Sequence, residues 1–201
     1  FAGDDSSWQE SIKPRRLKTG HNVGLGEAEP LRERFSPSGT KAGGSAMAVA
    51  GTGMRVGSEV HELFEGIAWL DPGEIPRLPR SRAGMIVEEV LSDAKIHRIF
   101  EKNTAEVELF REQAVEVIQD GKWLSGIVDR MHLFRGNDGK PQRITIIDYK
   151  TDAIEPEAII EKYANQMSCY RKALAGIFGI GVEKVQSLIV STSNKAVIEL
   201  S

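Results

Sequence analysis

Apolar residues first recur with a clear period at Val60, Leu63, Phe64 and Ile67, whose three- and four-residue steps predict an amphipathic helix over 57–69 that stops at Asp71-Pro72-Gly73. A second helical pattern over 83–102 carries Ile86, Val87, Val90, Leu91, Ala94, Ile99 and Phe100 on its apolar side. The period then changes to two. Alternation over 107–118, 123–134 and 143–150, punctuated by Asp120-Gly121 and Asn137-Asp138-Gly139, predicts a three-strand antiparallel meander. Pro156 opens a third helix running to about residue 176, 185–191 reads as a strand and 196–200 as a further one. Helices, then a meander, then strand, helix, strand define an α/β domain: a mixed central sheet, with a strand added after a helical crossover, flanked by helices.

Residues 1–56 break this periodicity. They are rich in Gly, Ser, Pro and charge, and read as an arm or linker ahead of a domain spanning 57–201. The basic stretch Lys13-Pro14-Arg15-Arg16-Leu17-Lys18 reads either as a phosphate contact or as an ordinary solvated surface. The glycines of Gly51-Thr52-Gly53-Met54-Arg55-Val56-Gly57 match neither the dinucleotide-binding nor the Walker spacing, and no strand precedes them. They read as a lead-in to the helix, and no ATPase motor is visible. A start at Phe1 rather than Met is expected for a segment of a longer protein.

Charge narrows the function classes. Lys and Arg number 26 against 29 Asp and Glu, a formal net charge of -3, so any contact with nucleic acid needs a local groove or a metal rather than a basic coat. Cys169 is the single cysteine, which excludes an internal disulfide and leaves no thiolate set for structural zinc or an iron–sulfur cluster. A reducing cytoplasm is the expected compartment. No apolar run approaches the roughly 20 residues that span a bilayer.

The strand Ile144-Thr145-Ile146-Ile147-Asp148-Tyr149-Lys150 carries the chemistry, because alternation sets Asp148 and Lys150 on the face of Ile144 and Ile146. Burying those charges costs several kcal/mol unless they are paired or metal-bound. The bland alternative is a salt-bridged strand end facing solvent. On the preceding strand Ile127, Asp129, Met131 and Leu133 are expected to share one face, bringing a second carboxylate beside Asp148. Paired carboxylates suit Mg²⁺ or Mn²⁺, hard ions with oxygen ligands. A pair between Asp129 and Arg130 is the alternative for the former, weakened because strand neighbours point to opposite faces.

Taken in order, Gly126-Ile127-Val128-Asp129-Arg130, then Ile147-Asp148-Tyr149-Lys150-Thr151, then Gln166 and Tyr170 resemble the motifs of RecB-family nucleases, the RecB-like branch of the PD-(D/E)xK superfamily. The resemblance spans about residues 61–170 and points to the nuclease domains of bacterial RecB and AddA proteins and their AddB relatives. It implies a restriction-endonuclease-like core and a Mg²⁺- or Mn²⁺-dependent deoxyribonuclease, an exonuclease of the branch without an iron–sulfur cluster. Further implied are DNA as substrate, a UvrD/RecB-type helicase motor fused or bound to the domain, and a role in double-strand-break processing and recombinational repair in the bacterial cytoplasm at the nucleoid.

By the same resemblance His61, in Gly57-Ser58-Glu59-Val60-His61, lies at or near the metal; Asp129, Asp148 and the Tyr149 carbonyl bind it; Lys150 orients or activates water; and Gln166 and Tyr170 position DNA or the lysine. Glu112 matches the family's acidic residue one strand earlier. Its parity opposes that of Val107, Leu109, Val115 and Val117, so a solvent-facing role beside Glu108 and Glu116 stays open. The cations near the phosphate are expected to include Arg130 as well as Lys150. Two rival functions remain: an inactive nuclease-fold module that binds DNA or docks in a helicase complex, and an unrelated α/β interaction domain.

Overall fold

The computed structural model describes residues 34–36, 52–119 and 122–200. Most of the expected arm, including the basic stretch at 13–18 and Gly51, lies outside them. Two pieces of it join the fold. Helix α1 spans Thr52–Gly66, starting five residues before the expected 57, and a short strand β1, Arg34–Phe35, enters the sheet.

The expected helix over 83–102 is two helices, α2 (Arg82–Leu91) and α3 (Ala94–Phe100). Asp93 separates them: its backbone is extended and its carboxylate accepts from the N–H groups of Lys95 and Ile96, so it restarts a helix rather than continuing one. Ser81 caps α2 through Gly84 N–H at 3.1 Å, and its hydroxyl donates to Glu59 Oε1 at 2.6 Å, tying that cap to α1.

The meander follows as β2 (Val107–Gln119), β3 (Lys122–Arg135) and β4 (Pro141–Lys150), all antiparallel neighbours. Helix α4 (Pro156–Phe178) crosses over to β5 (Val185–Ser191), parallel to β4, and β6 (Ala196–Leu200) closes the edge antiparallel to β5. Proline at the start of α4 and left-handed Gly179 at its end match the asymmetry of helix termini. Among the described residues six strands thus form one mixed sheet between two helical layers.

Alternation along the strands builds a core on each face. Ile144, Ile146, Met131, Leu133 and Ile189 pack under α4 with Met167, Tyr170 and Leu174. On the other face Ile147, Tyr149 and Val190 meet Val60, Phe64, Val87, Leu91 and Phe100 of the first three helices. Residues 144–149 of β4 are buried without interruption, as a strand covered on both sides must be.

Two arginines fix α1 to the sheet. Arg111 of β2 donates to Glu65 O at 2.6 Å, and Arg130 of β3 to Ile67 O at 2.8 Å and Ala68 O at 2.6 Å, filling carbonyls that the helix end leaves open. The Arg130 guanidinium is fully buried over the Phe100 and Trp69 rings and donates Nε–H to His132 Nε2 at 2.9 Å. It is therefore a structural cation on the helical face, not the phosphate-side cation expected, and it does not pair with Asp129.

Candidate active site

β3 is the branch point of the sheet. Its upper half pairs with β4 down to Arg130↔Ile147, and its lower half pairs along that same edge with β1 at Trp123 and Leu124. Between them β3 leaves β4, and Asp129 stands at the point of departure. Its Oδ2 accepts Tyr149 N–H at 2.8 Å, so a side-chain carboxylate takes the place of the absent backbone partner.

Departure also changes parity. Leu124 and Val128 face the α4 core below the fork, and Met131 and Leu133 face it above. Ile127 consequently does not share a face with Met131 and Leu133 as alternation predicts; it is half exposed and lines the cleft. The partner strand shifts in step. Phe110 and Val115 both reach the α4 core, and between them Glu112 adopts left-handed φ of 46°; it and Asp129 on the facing strand are the two positions inside the β2–β3 ladder without a register partner. That twist turns Glu112 into the cleft, which resolves the alternative of a solvent-facing strand residue.

The cleft holds about 630 Å³. Helix α1 supplies Gly57, Ser58, His61, Glu62 and Glu65; β2 Glu112; β3 Ile127 and Asp129; β4 Asp148 and Lys150; Thr151 and Asp152 follow, and α4 contributes Gln166. A methyl at Gly57 would stand 3.0 Å from Thr151 Oγ1, so glycine there lets α1 approach the end of β4. Distances within the group are short. Lys150 Nζ lies 2.5 Å from Asp148 Oδ2, His61 Nδ1 3.5 Å from Asp129 Oδ2, and Gln166 Nε2 3.5 Å from Asp148 Oδ1.

Tyr149 and Tyr170 sit deeper. The Tyr149 ring is buried against Phe64, at 4.5 Å between centroids, and meets His61 edge-on. Tyr170 is not among the cleft-lining residues; its ring packs beneath them on β3, where a methyl at Gly126 would come 2.3 Å from the Tyr170 hydroxyl. Gly126 and Tyr170 are thus two halves of one contact, which explains the glycine three residues before Asp129.

Electrostatics follow from crowding negative charge in a partly dry place. Burial, then the Asp148 charge, hold the Asp129 carboxyl well above the usual range, against the pull of the Tyr149 N–H and Lys150. Burial and the charges of Glu65 and Asp148 raise Glu112. His61 is lowered, chiefly by burial, with Lys150 adding to the effect and Asp148 opposing it. For Lys150 burial pulls downward, but Asp148, through charge and hydrogen bond, and Asp129 outweigh it, so the amine is held as an ammonium.

Among the described residues no three His, Cys, Asp or Glu side chains stand grouped as a ready metal site. The donor chemistry nonetheless fits a hard cation. Asp129 and Asp148 offer oxygens, the Tyr149 carbonyl and His61 adjoin them, and the Lys150 ammonium now occupies the position against Asp148 that a divalent ion would contest. The raised Asp129 carboxyl marks the same deficit of positive charge.

Sequence reading missed three contributors, Glu62 and Glu65, which follow His61 on α1, and Asp152 after β4; Tyr163, which helical spacing sets beside the face of Gln166 and Tyr170, turns out to stand against Lys150. Glu65 and Tyr163 carry a signal in helical spacing, four after His61 and three before Gln166. Asp152 lies in the loop after β4, where spacing tells nothing.

A mixed sheet with acidic residues at a strand fork and a lysine two positions on, enclosed by helices from both faces, defines the restriction-endonuclease-like class of α/β domains. The sequence model of the PD-(D/E)XK nuclease superfamily matches residues 52–197, most of the chain, and the protein belongs to that superfamily. None of the curated proteins matches the chain.

Proposed function

We propose that this domain is a RecB-like deoxyribonuclease that hydrolyses DNA phosphodiester bonds with Mg²⁺ or Mn²⁺. The observation that carries the reading is the convergence of Asp129, Asp148 and Lys150 in one open cleft with His61 beside them. Asp129 and Asp148 would hold the ion together with the Tyr149 carbonyl, His61 and Glu112. A bound divalent ion supplies Lewis acidity, lowering the pKa of water and offsetting charge on the phosphoryl oxygens.

The chain's own groups account for the rest. Lys150, held protonated, donates hydrogen bonds to the attacking water or to a phosphoryl oxygen as negative charge grows there. Gln166 steadies Asp148 from α4. Tyr170 sets the spacing of α4 from β3 through Gly126. The wider role is an exonuclease working with a UvrD/RecB-type helicase, fused or bound, in double-strand-break processing in the bacterial cytoplasm.

Labelled linear single- and double-stranded DNA incubated with the protein in Mg²⁺, in Mn²⁺ and in EDTA, beside Lys150→Ala, tests the reading. Cleavage that needs metal and disappears in the variant is expected. Absence of cleavage together with absence of metal binding would sink it in favour of a docking module.

A further inference from the structure

The Lys150 ammonium has an aromatic neighbour as well as Asp148. It lies 4.4 Å from the centroid of the Tyr163 ring. That ring is itself anchored: Tyr163 Oη donates to Asp152 Oδ2 at 2.6 Å, and Lys162 Nζ donates to Asp152 Oδ1 at 2.7 Å. Tyr163 stands on α4 three residues before Gln166, so one helix reaches both members of the Asp148–Lys150 pair.

An aromatic face attracts an ammonium through the ring quadrupole, more strongly where water is scarce, and Lys150 is only 15% exposed. Unlike a carboxylate, a ring neither neutralises the ammonium nor draws a divalent ion to itself as an oxygen ligand. A lysine stem has several rotatable bonds, so with Asp148 engaged elsewhere the amine would otherwise be free to leave the cleft.

We propose that Tyr163 is a positioning residue for Lys150: its ring, braced by Asp152, keeps the ammonium over the cleft with its charge available to the phosphate. The role in cleavage rests on the nuclease reading above; the contact itself does not.

The test therefore has two readouts. In the full chain carrying ¹³C-labelled lysine, with Lys150→Ala to assign the signal, the Lys150 ε-protons are expected upfield of the other lysines because they lie over the ring. Tyr163→Phe retains the shift and Tyr163→Leu abolishes it, with Tyr163→Met as a second ringless variant and thermal melting to verify folding. In Mg²⁺, the ringless variants lower kcat on a labelled oligonucleotide about tenfold, about 1.4 kcal/mol, leaving KM within about twofold, and Phe restores most of the rate.

A Lys150 signal that is not displaced in the natural protein, or stays put in both ringless variants, overturns the proposal. So does equal slowing by Phe, Leu and Met with a rise in KM. If the natural protein cleaves nothing, the nuclease reading falls, and the lysine signal still decides the contact.

Discussion

Asp129 answers to two neighbours, a backbone N–H that wants it ionised and a second carboxylate that does not. Its raised pKa means that, over a pH window extending above the ordinary carboxylate range, a proton competes for the place a cation would take, and metal binding within that window releases it. The gain in melting temperature from Mn²⁺ is therefore expected to grow as pH rises from the ordinary carboxylate range, and calorimetry in buffers of different ionisation enthalpy should detect proton release there. A gain that does not change with pH would show that no proton on Asp129 is displaced. Asp148→Ala removes a proposed ligand oxygen and the Lys150 counter-charge together, and should lower metal-dependent cleavage by on the order of a hundredfold or more in the same DNA assay. Gly126→Ala drives a methyl into Tyr170 and is expected to cost about 1–3 kcal/mol by urea unfolding, with the loss reduced when Tyr170→Leu is combined with it.

At the scale of elements, the site depends on how α1 is fastened. His61 rides on a helix whose end, at the carbonyls of Glu65 and of Ile67 and Ala68 just beyond it, is held by Arg111 and Arg130, so the sheet positions the histidine from about 6–10 Å away along the helix. Arg130→Met is expected to destabilise by on the order of 3 kcal/mol and to speed amide exchange in 57–66 ahead of the sheet. Beside it His132 is held neutral, its pKa lowered to about 3 by burial, then by Arg130 and Arg143. An unfolded histidine takes up its proton near 6.5, so between that value and about 3 the unfolded chain binds more protons and stability falls with falling pH. His132→Gln should flatten this decline in a series of denaturant melts below pH 6.5; an unchanged slope would assign the decline to other groups.

Across the whole molecule charge works against the proposed substrate until a cation arrives. The net charge is -3, and among the cleft-lining residues Glu62, Glu65, Glu112, Asp129, Asp148 and Asp152 stand against the ammonium of Lys150. DNA binding by Lys150→Ala, which removes the cleft's ammonium, is accordingly expected only in the presence of Mn²⁺, with a shallow salt dependence that reflects few phosphate contacts. Tight metal-free binding measured by fluorescence anisotropy would place the DNA surface elsewhere. No helix among the described residues is long and apolar enough to cross a membrane.

Much of this was legible in the chain. Period-two alternation located β2, β3 and β4, Pro156 located α4, and the alternation Ile144, Ile146, Asp148, Lys150 put an acid and an amine on the buried α4 face, because side-chain direction along an extended strand is a local property. What the chain alone could not decide were the breaks in that rule. Asp93 splits a helix, Glu112 turns through a left-handed φ, and β3 changes face at Asp129, each because a partner from elsewhere in the fold rewards the irregular conformation. Alternation extrapolated through such a break assigns the wrong face to Ile127 and leaves Glu112 undecided. Arg130 shows the same limit: it is expected among the cations near the phosphate although strand parity sets it opposite Asp129, and the carbonyls at the α1 terminus, brought to that face by the fold, are what hold its guanidinium. Local sequence determined the elements and the identity of the acid pair and lysine; tertiary structure decided where strands part, and hence which side chains meet in the opening, because that depends on hydrogen bonds between residues far apart in the chain.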